Sequence, residues 1–272
     1  MSKQCLHVVS LSGGKDSKAM LLMMLERKMP VDIILFCDTG LEFPDMYKHL
    51  EEVEKYTGKK ITRLKAPHSF EHYFLKATVK RKNAQQFIEK YGAMHDGNSW
   101  PGPRQRWCTA RLKDAPREKF LSSLKKKYTV VEYVGIAADE EYRLKRKRNN
   151  KENVIHPLVE WGMTEDACLQ YCYSKGFNWN GLYTHFKRVS CWCCPLQPLT
   201  ELRILYRHYP ELWKQLRDWD DKTWRNFRAD YSVRELEIRF EFEKECMAKN
   251  EKTNGKVFFE RLKKLLKTKA PA

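Results

Sequence analysis

The sequence predicts an α/β fold, a doubly wound parallel sheet followed by a helical C-terminal region. Two observations carry this. Short apolar runs of strand length alternate with apolar-periodic runs of helix length through the first half of the chain. From Leu199 onward the pattern is helical only. Strands separated by helices of this length imply βαβ crossovers, hence parallel strands with helices on both faces.

The elements follow in order. CLHVVSL (residues 5–11) is a first strand, SGGKDS a glycine turn, and Lys18 to Lys28 a helix with apolar spacing. VDIILFCDTG (31–40) is a second buried strand ending in a polar turn. MYKHLEEVEKYTG (46–58) is a helix closed by glycine, and ITRLKAP a third strand. A lysine-rich helical segment from Lys113 to Lys127 leads to a fourth strand, TVVEYVGI (129–136). Between these, residues 68–108 include GAMHDGNSWPGPRQRWC, whose Gly, Pro, Asn and Asp density predicts a loop acting as a lid. EEYRLKRKRNNK, after Asp139, reads as a second, mobile and basic loop. TEDACLQYCYSKG is a helix capped by Thr164 and closed on Gly176, and three more helices are expected after Leu199. The domain boundaries expected are 1–198 for a nucleotide-binding α/β domain with a cysteine metal site, and 199–272 for a helical extension.

A chain of 272 residues with 42% apolar residues is long enough to bury a real core. Lys and Arg number 52 against 35 Asp and Glu, a net charge of +17. A polyanion is a natural partner for such an excess, a solvated lysine surface the plainer explanation. No stretch approaches the ~20 apolar residues of a membrane span, and the N-terminus lacks the order of a secretory signal. A cytoplasmic location and no membrane partner are therefore expected. The nine cysteines are an odd number, and in a reducing compartment clustered ones read first as metal ligands or redox groups.

In a parallel α/β sheet the first strand-to-helix turn is the usual seat for phosphate, because glycines admit close approach and the first helical turn presents free N–H groups. Ser12 to Ser17 can cradle an anion. The segment lacks the six-residue frame of GxxxxGK[ST] and the GxGxxG of dinucleotide binders. SGGKDS after a first strand resembles the pyrophosphate loop of the adenine nucleotide α-hydrolase superfamily, Rossmann-like proteins that split ATP between the α and β phosphates. The resemblance implies that Ser12, Gly13, Gly14 and Ser17 hold phosphates, and that Asp16 positions the loop or a magnesium ion. Asp38-Thr39-Gly40 followed by Phe43-Pro44 is similar to the DTGxxFP segment of the phosphoadenosine-phosphosulfate reductase family, implying adenine and ribose contacts. Gly135 to Glu140 with Arg143 resembles that family's GxRxxES-xxR segment, implying nucleotide contacts from Gly135, Asp139 and Arg143. Ala137 stands where the family usually has arginine, and Glu141 where serine is frequent. Arg106-Trp107-Cys108-Thr109 with Leu112-Lys113 resembles the RWCTxxLK stretch of the branch that includes DNA phosphorothioation sulfurtransferases. The likeness covers about residues 5–200.

Cys191-x2-Cys194, within SCWCCP, has metal-ligand spacing. The family's cluster-bearing branches pair an earlier Cys-Cys with this motif; here Trp107 occupies the first of that pair, and the resemblance implies Cys108, Cys191 and Cys194 as the remaining ligands. Three thiolates suit a [4Fe-4S] cluster with one iron open to a sulfur donor. They also suit zinc, completed by Cys193 or His185, or they are small apolar core residues. Cys168 and Cys172, one turn apart, read as core. Cys246 in KECMAKN invites comparison with the reductases' C-terminal KECGLH, but its helical surroundings offer no mobile tail.

Two basic runs, Lys76, Lys80, Arg81 and Lys82, and Arg143, Lys145, Arg146, Lys147 and Arg148, are solvated faces or grips on a nucleic-acid backbone. RLKKLLKTK is an amphipathic basic helix open to RNA, DNA or a partner surface. Trp213, Trp219 and Trp224 fall at near-helical spacing, as core does. The function expected from the resemblance is an ATP pyrophosphatase using Mg, which adenylates an acceptor for sulfur transfer to a nucleic acid (DNA or tRNA) or a small molecule. Its adenine nucleotide would be joined by a sulfur donor protein such as a cysteine desulfurase. Lys15, with Arg111 or Lys113, would stabilise the departing pyrophosphate. The alternatives are reduction of phosphoadenosine or adenosine phosphosulfate, and a non-catalytic nucleotide-sensing module that binds nucleic acid.

Overall fold

The structure, a computed structural model, describes residues 3–145 and 149–269. In chain order the main elements are β1 (Cys5–Ser10), α1 (Lys15–Glu26), β2 (Ile33–Asp38), α2 (Pro44–Thr57), β3 (Ile61–Lys65), α3 (Ala84–Tyr91), α4 (Ala115–Lys125), β4 (Thr129–Val134), β5 (Val154–Ile155), α5 (Pro157–Glu160), α6 (Glu165–Ser174), α7 (Leu182–His185), α8 (Leu199–His208), α9 (Pro210–Asp220), α10 (Val233–Ala248) and α11 (Lys256–Lys269). They divide into two compact units. The first comprises Met1–Phe70 and Cys108–Trp192, the second Glu71–Trp107 and Cys193–Ala272.

The first unit is built on a five-stranded sheet in the order β3-β2-β1-β4-β5, with every pairing parallel. Both faces of the strands are apolar, as a sheet covered on both sides requires. Val8, Leu35 and Val130 pack with Leu121 of α4 on one face. Val9 and Ile34 alternate with them and are equally buried. The helix boundaries follow local chemistry. Pro44 opens α2 and Gly58 closes it in the left-handed conformation. Thr164 caps α6 by accepting from the Ala167 N–H at 3.2 Å, as its sequence position indicated. Strand β5, only two residues long, carries too little pattern to be read from sequence.

The second unit corrects two expectations. Residues 71–107 are not simply loop: α3 forms, Phe74 and Trp100 are wholly buried, and Trp100 Nε1 donates to Asp220 at 2.7 Å. Gly, Pro and Asn density marks irregular backbone, and here that backbone is anchored by an indole. Four helices, rather than three, follow Leu199. Pro210 has no N–H and clashes with a helical residue before it, so Tyr209 takes φ −131°, ψ 61° and separates α8 from α9. Ser232 and Glu235 form a capping box that starts α10. Trp213 and Trp219 are core residues. Arg81 stacks over Phe87 and Trp224, 3.8 and 4.9 Å from the ring centroids, so this member of the first basic run is engaged within the unit. The second run, expected in a mobile loop, is 3₁₀-helical over Ala138–Lys145, while Arg146, Lys147 and Arg148 lie outside the described residues. Among the described residues no helix is long and apolar enough to cross a membrane.

One feature of the first unit goes against burial rules. Lys18 of α1 is 0% exposed, and its ammonium makes no hydrogen bond but sits 3.4 Å from the centroid of Phe177. Desolvation pushes its pKa down to about 7. A folded-state value below the ordinary 10.5 means the neutral amine is favoured, so stability is fully present above pH 10.5 and lost as pH falls towards 7. In urea titrations the wild type should therefore gain roughly 2 kcal/mol between pH 7 and pH 9 relative to Lys18→Met. Equal pH dependence in the two proteins would contradict this.

Candidate active site

The order of the strands reverses on either side of β1, so the crevice at the carboxyl ends of β1 and β4 is the topological switch point where ligands bind in such sheets. The SGGKDS loop emerges there from β1. Gly13 has φ +82°, and a Cβ on it would stand 2.4 Å from Met46 Sδ. The loop is self-braced: the Ser12 N–H donates to Ser17 Oγ at 3.0 Å, the two hydroxyls lie 2.9 Å apart, and Ser17 Oγ donates to the Gly14 carbonyl at 3.1 Å. From outside the motif, Trp179 Nε1 donates to the Gly13 carbonyl at 2.7 Å, and the Lys15 N–H donates to the Tyr183 hydroxyl at 2.9 Å. At the end of β4, a Cβ on Gly135 would meet the Ser17 Cα at 2.8 Å, so the two turns touch backbone to backbone.

Charges are concentrated at the start of α1. Lys15 is 6% exposed, its ammonium 2.5 Å from Glu165 Oε2 and 3.3 Å from Asp16 Oδ1. Burial alone would lower its pKa, but the Glu165 hydrogen bond and the Asp16 and Glu165 charges outweigh it, and the net shift is upward. Lys15 is a cation at any physiological pH. Burial raises Asp16 to about 6, Lys15 opposing and Glu165 adding to the rise. Asp139 accepts the Glu165 N–H at 3.0 Å and so tethers the start of α6, while Arg143 pairs with Glu140.

The end of β2 forms a second acidic wall. Asp38 Oδ1 accepts from the Gly40 N–H at 3.0 Å and from the Tyr47 hydroxyl at 2.9 Å, with Lys65 3.3 Å from its other oxygen. Thr39 Oγ1 donates to buried Glu42 at 2.8 Å and lies 3.8 Å from Cys191 Sγ. Lys113 reaches Glu42 at 4.0 Å, and its pKa is raised, first by Cys191 and then by Glu42, Cys37 and Cys108, against desolvation. Trp192 donates its N–H to the Leu41 carbonyl at 3.0 Å, which holds the cysteine segment beside this wall. Arg111 is exposed on the π-helical turn Thr109–Asp114.

Of the expected cysteine ligands, Cys108 and Cys191 belong to the first unit and Cys193 and Cys194 to the second. Among the described residues, however, no group of three or more His, Cys, Asp or Glu side chains is gathered to hold a metal. The donor types suit a cluster, and no chemical step below runs through one. For magnesium the carboxylate at hand is Asp16, whose buried Oδ1 has the Lys15 ammonium at 3.3 Å as its ion-pair partner. Cys168 and Cys172 are completely buried, as core residues are.

Motif reading did not single out Glu42, Tyr47, Glu165, Trp179 and Tyr183. Glu42 was visible inside DTGLEFP, but nothing local distinguished Glu165 from an ordinary helix-start acid, and Trp179 and Tyr183 reach the loop only through the fold.

Residues 6–197 match the family described as the phosphoadenosine phosphosulfate reductase domain, and the chain belongs to that family. Its relatives include two uncharacterised proteins of Methanocaldococcus jannaschii. One is 28% identical over 83% of this chain and 42% of its own length, the other 30% over 76% and 45%. The chain thus spans less than half the length of these relatives. Among solved structures it is similar to a phosphoadenylyl-sulfate reductase of Candida auris in complex with phosphate, at 17% identity, with a TM-score of 0.45, over 68% of this chain and 81% of that one.

The backbone contact at Gly135 yields a direct test. Gly135→Ala should force the two turns apart and lower stability by about 2–3 kcal/mol in urea titrations. An unchanged stability would show that the turns are not coupled.

Proposed function

We propose that this chain is an ATP pyrophosphatase that adenylates an acceptor oxygen and prepares it for sulfur transfer, to a nucleic acid or a small molecule. The observation that carries the reading is the intact SGGKDS loop at the switch point, with its lysine buried and charged. In this reading Ser12, Gly13, Gly14 and Ser17 hold the β and γ phosphates, with the α1 N-terminus adding its partial positive charge. Lys15 leaves Glu165 to follow the charge that develops on pyrophosphate, assisted by Lys113 or Arg111. Asp38, Thr39 and Gly40 line the nucleoside side, and Gly135, Asp139 and Arg143 close the opposite wall. Magnesium brought with the triphosphate would supply further charge neutralisation, and Asp16 is the residue that would hold it.

The acceptor oxygen attacks the α phosphorus and the bond to pyrophosphate breaks. A sulfide-level nucleophile then forms the new bond to sulfur as the bond to oxygen breaks and AMP leaves. AMP is a far better leaving group than hydroxide, which is why adenylation makes the exchange feasible. The +17 charge favours a polyanionic acceptor such as DNA or tRNA. Cys108, Cys191 and Cys194 are the residues we assign to a metal or sulfur-carrying role, with Cys193 or His185 as further ligands if the metal is zinc; a donor protein such as a cysteine desulfurase supplies the sulfur as a persulfide, and a dithiol reductant supplies the two electrons that bring it to the sulfide level. Reduction of a sulfonucleotide is less well supported: Cys246 lies in α10, 1% exposed and packed with Phe242, Phe258 and Leu262, unlike a nucleophile on a mobile tail.

Incubation with MgATP and candidate nucleic acids should release AMP and pyrophosphate in equal amounts. Lys15→Met should lower the rate by at least a hundredfold and Cys246→Ser should leave it unchanged. ADP and phosphate as products, or sulfite release that depends on Cys246, would overturn the reading. Anaerobically purified protein should contain iron and sulfide that are lost in Cys191→Ser. A colourless zinc protein would leave adenylation standing and remove the cluster.

A further inference from the structure

Several donors of the SGGKDS loop already have acceptors within the chain. The Ser12 N–H and Ser17 hydroxyl bond inside the loop, and the Lys15 ammonium is held by Glu165. The exception in kind is the Lys15 N–H. It is the first amide of α1, the donor that points most directly at an anion on the helix axis, and its acceptor is a side chain 168 residues away, Tyr183.

The placement of Tyr183 is built. Its ring meets Trp179 edge-on at 4.8 Å, and Trp179 is itself fixed by the hydrogen bond to the Gly13 carbonyl. The hydroxyl stands 3.3 Å from where a Gly14 Cβ would lie, so it rests against the face that Gly14 leaves without a side chain. A phosphate oxygen and this hydroxyl oxygen are both acceptors, and they compete for one N–H. Glu165 competes in the same way for the ammonium of the same residue. Glu165 is in turn held by Asp139, beside the turn after β4.

Resting on the pyrophosphatase reading, we propose that Tyr183 is a gatekeeping residue of the loop. Its hydroxyl accepts the Lys15 N–H that a phosphate oxygen would accept, and must swing off it before a pyrophosphoryl group can seat. Glu165 acts in parallel on the ammonium. Together they make the loop discriminate against ligands that bring only one phosphate, because a monophosphate cannot replace both partners of Lys15 at once. The loop thereby favours di- and triphosphates over AMP and free phosphate, and releases AMP readily after the reaction.

The test compares binding of inorganic pyrophosphate, AMP and inorganic phosphate to wild type, Tyr183→Phe and Glu165→Gln by calorimetry. Removing the hydroxyl while keeping the ring should tighten pyrophosphate about fivefold, the worth of one net hydrogen bond. It should tighten phosphate by at least as much and leave AMP affinity governed by the nucleoside side, so that the preference for pyrophosphate over phosphate narrows. Glu165→Gln should tighten pyrophosphate independently, and the double variant should combine the two gains. Pyrophosphate binding that is unchanged or weaker in Tyr183→Phe, while wild type binds it, overturns the gate and leaves the pyrophosphatase reading intact. Failure of wild type and both variants to bind pyrophosphate at all overturns both. A melting temperature for Tyr183→Phe within a few degrees of wild type separates either result from misfolding.

Discussion

The first unit depends on one close approach, that of Gly135 to the backbone of Asp16 and Ser17. Two turns, each following one of two adjacent parallel strands, come within van der Waals contact because neither interposes a side chain. That contact sets where α1 begins and so where its unpaired N–H groups point. The serine hydroxyls and the Trp179 indole brace the loop from inside and behind.

Around this cradle the chain places charges in opposition. Lys15 is held as a cation by two carboxylates, one of which, Asp16, is itself raised towards neutrality by burial. Across from it, Asp38 and Glu42 are buried with Thr39 and Tyr47 as donors, and Lys113 sits between the acidic wall and the thiols of Cys108 and Cys191. In the pyrophosphatase reading we propose, the Lys15 side of the site would face pyrophosphate and the Asp38–Glu42 side the nucleoside.

Much of this was legible in the sequence, and the reasons are particular. The SGGKDS turn between an apolar run and an amphipathic one located β1, the loop and α1, because glycine, lysine and hydroxyls at that spacing have few other uses. The alternation of runs gave the parallel sheet, and Gly58 and Thr164 marked helix ends that the structure confirms. What escaped was long-range. Trp179 and Tyr183 look like ordinary aromatics until the fold carries them to Gly13 and Lys15, and Glu165 looks like a helix-start acid until it meets the ammonium. The segment around Trp100 was misjudged because turn-forming residues report backbone irregularity and say nothing of burial. Pro210 was visible, yet its power to split one helix into two was underweighted against the strong apolar period on both sides.

The account turns on which phosphate bond is placed for cleavage, and two analogues of ATP decide it. With a methylene bridge between the β and γ phosphates the α–β bond remains cleavable, so the protein should release AMP from that analogue in the presence of acceptor. With the methylene between the α and β phosphates it should bind and do nothing. The reverse pattern, turnover of the α,β-methylene compound and inertness of the β,γ-methylene one, would place the chemistry at the γ phosphate and contradict the role assigned to the loop.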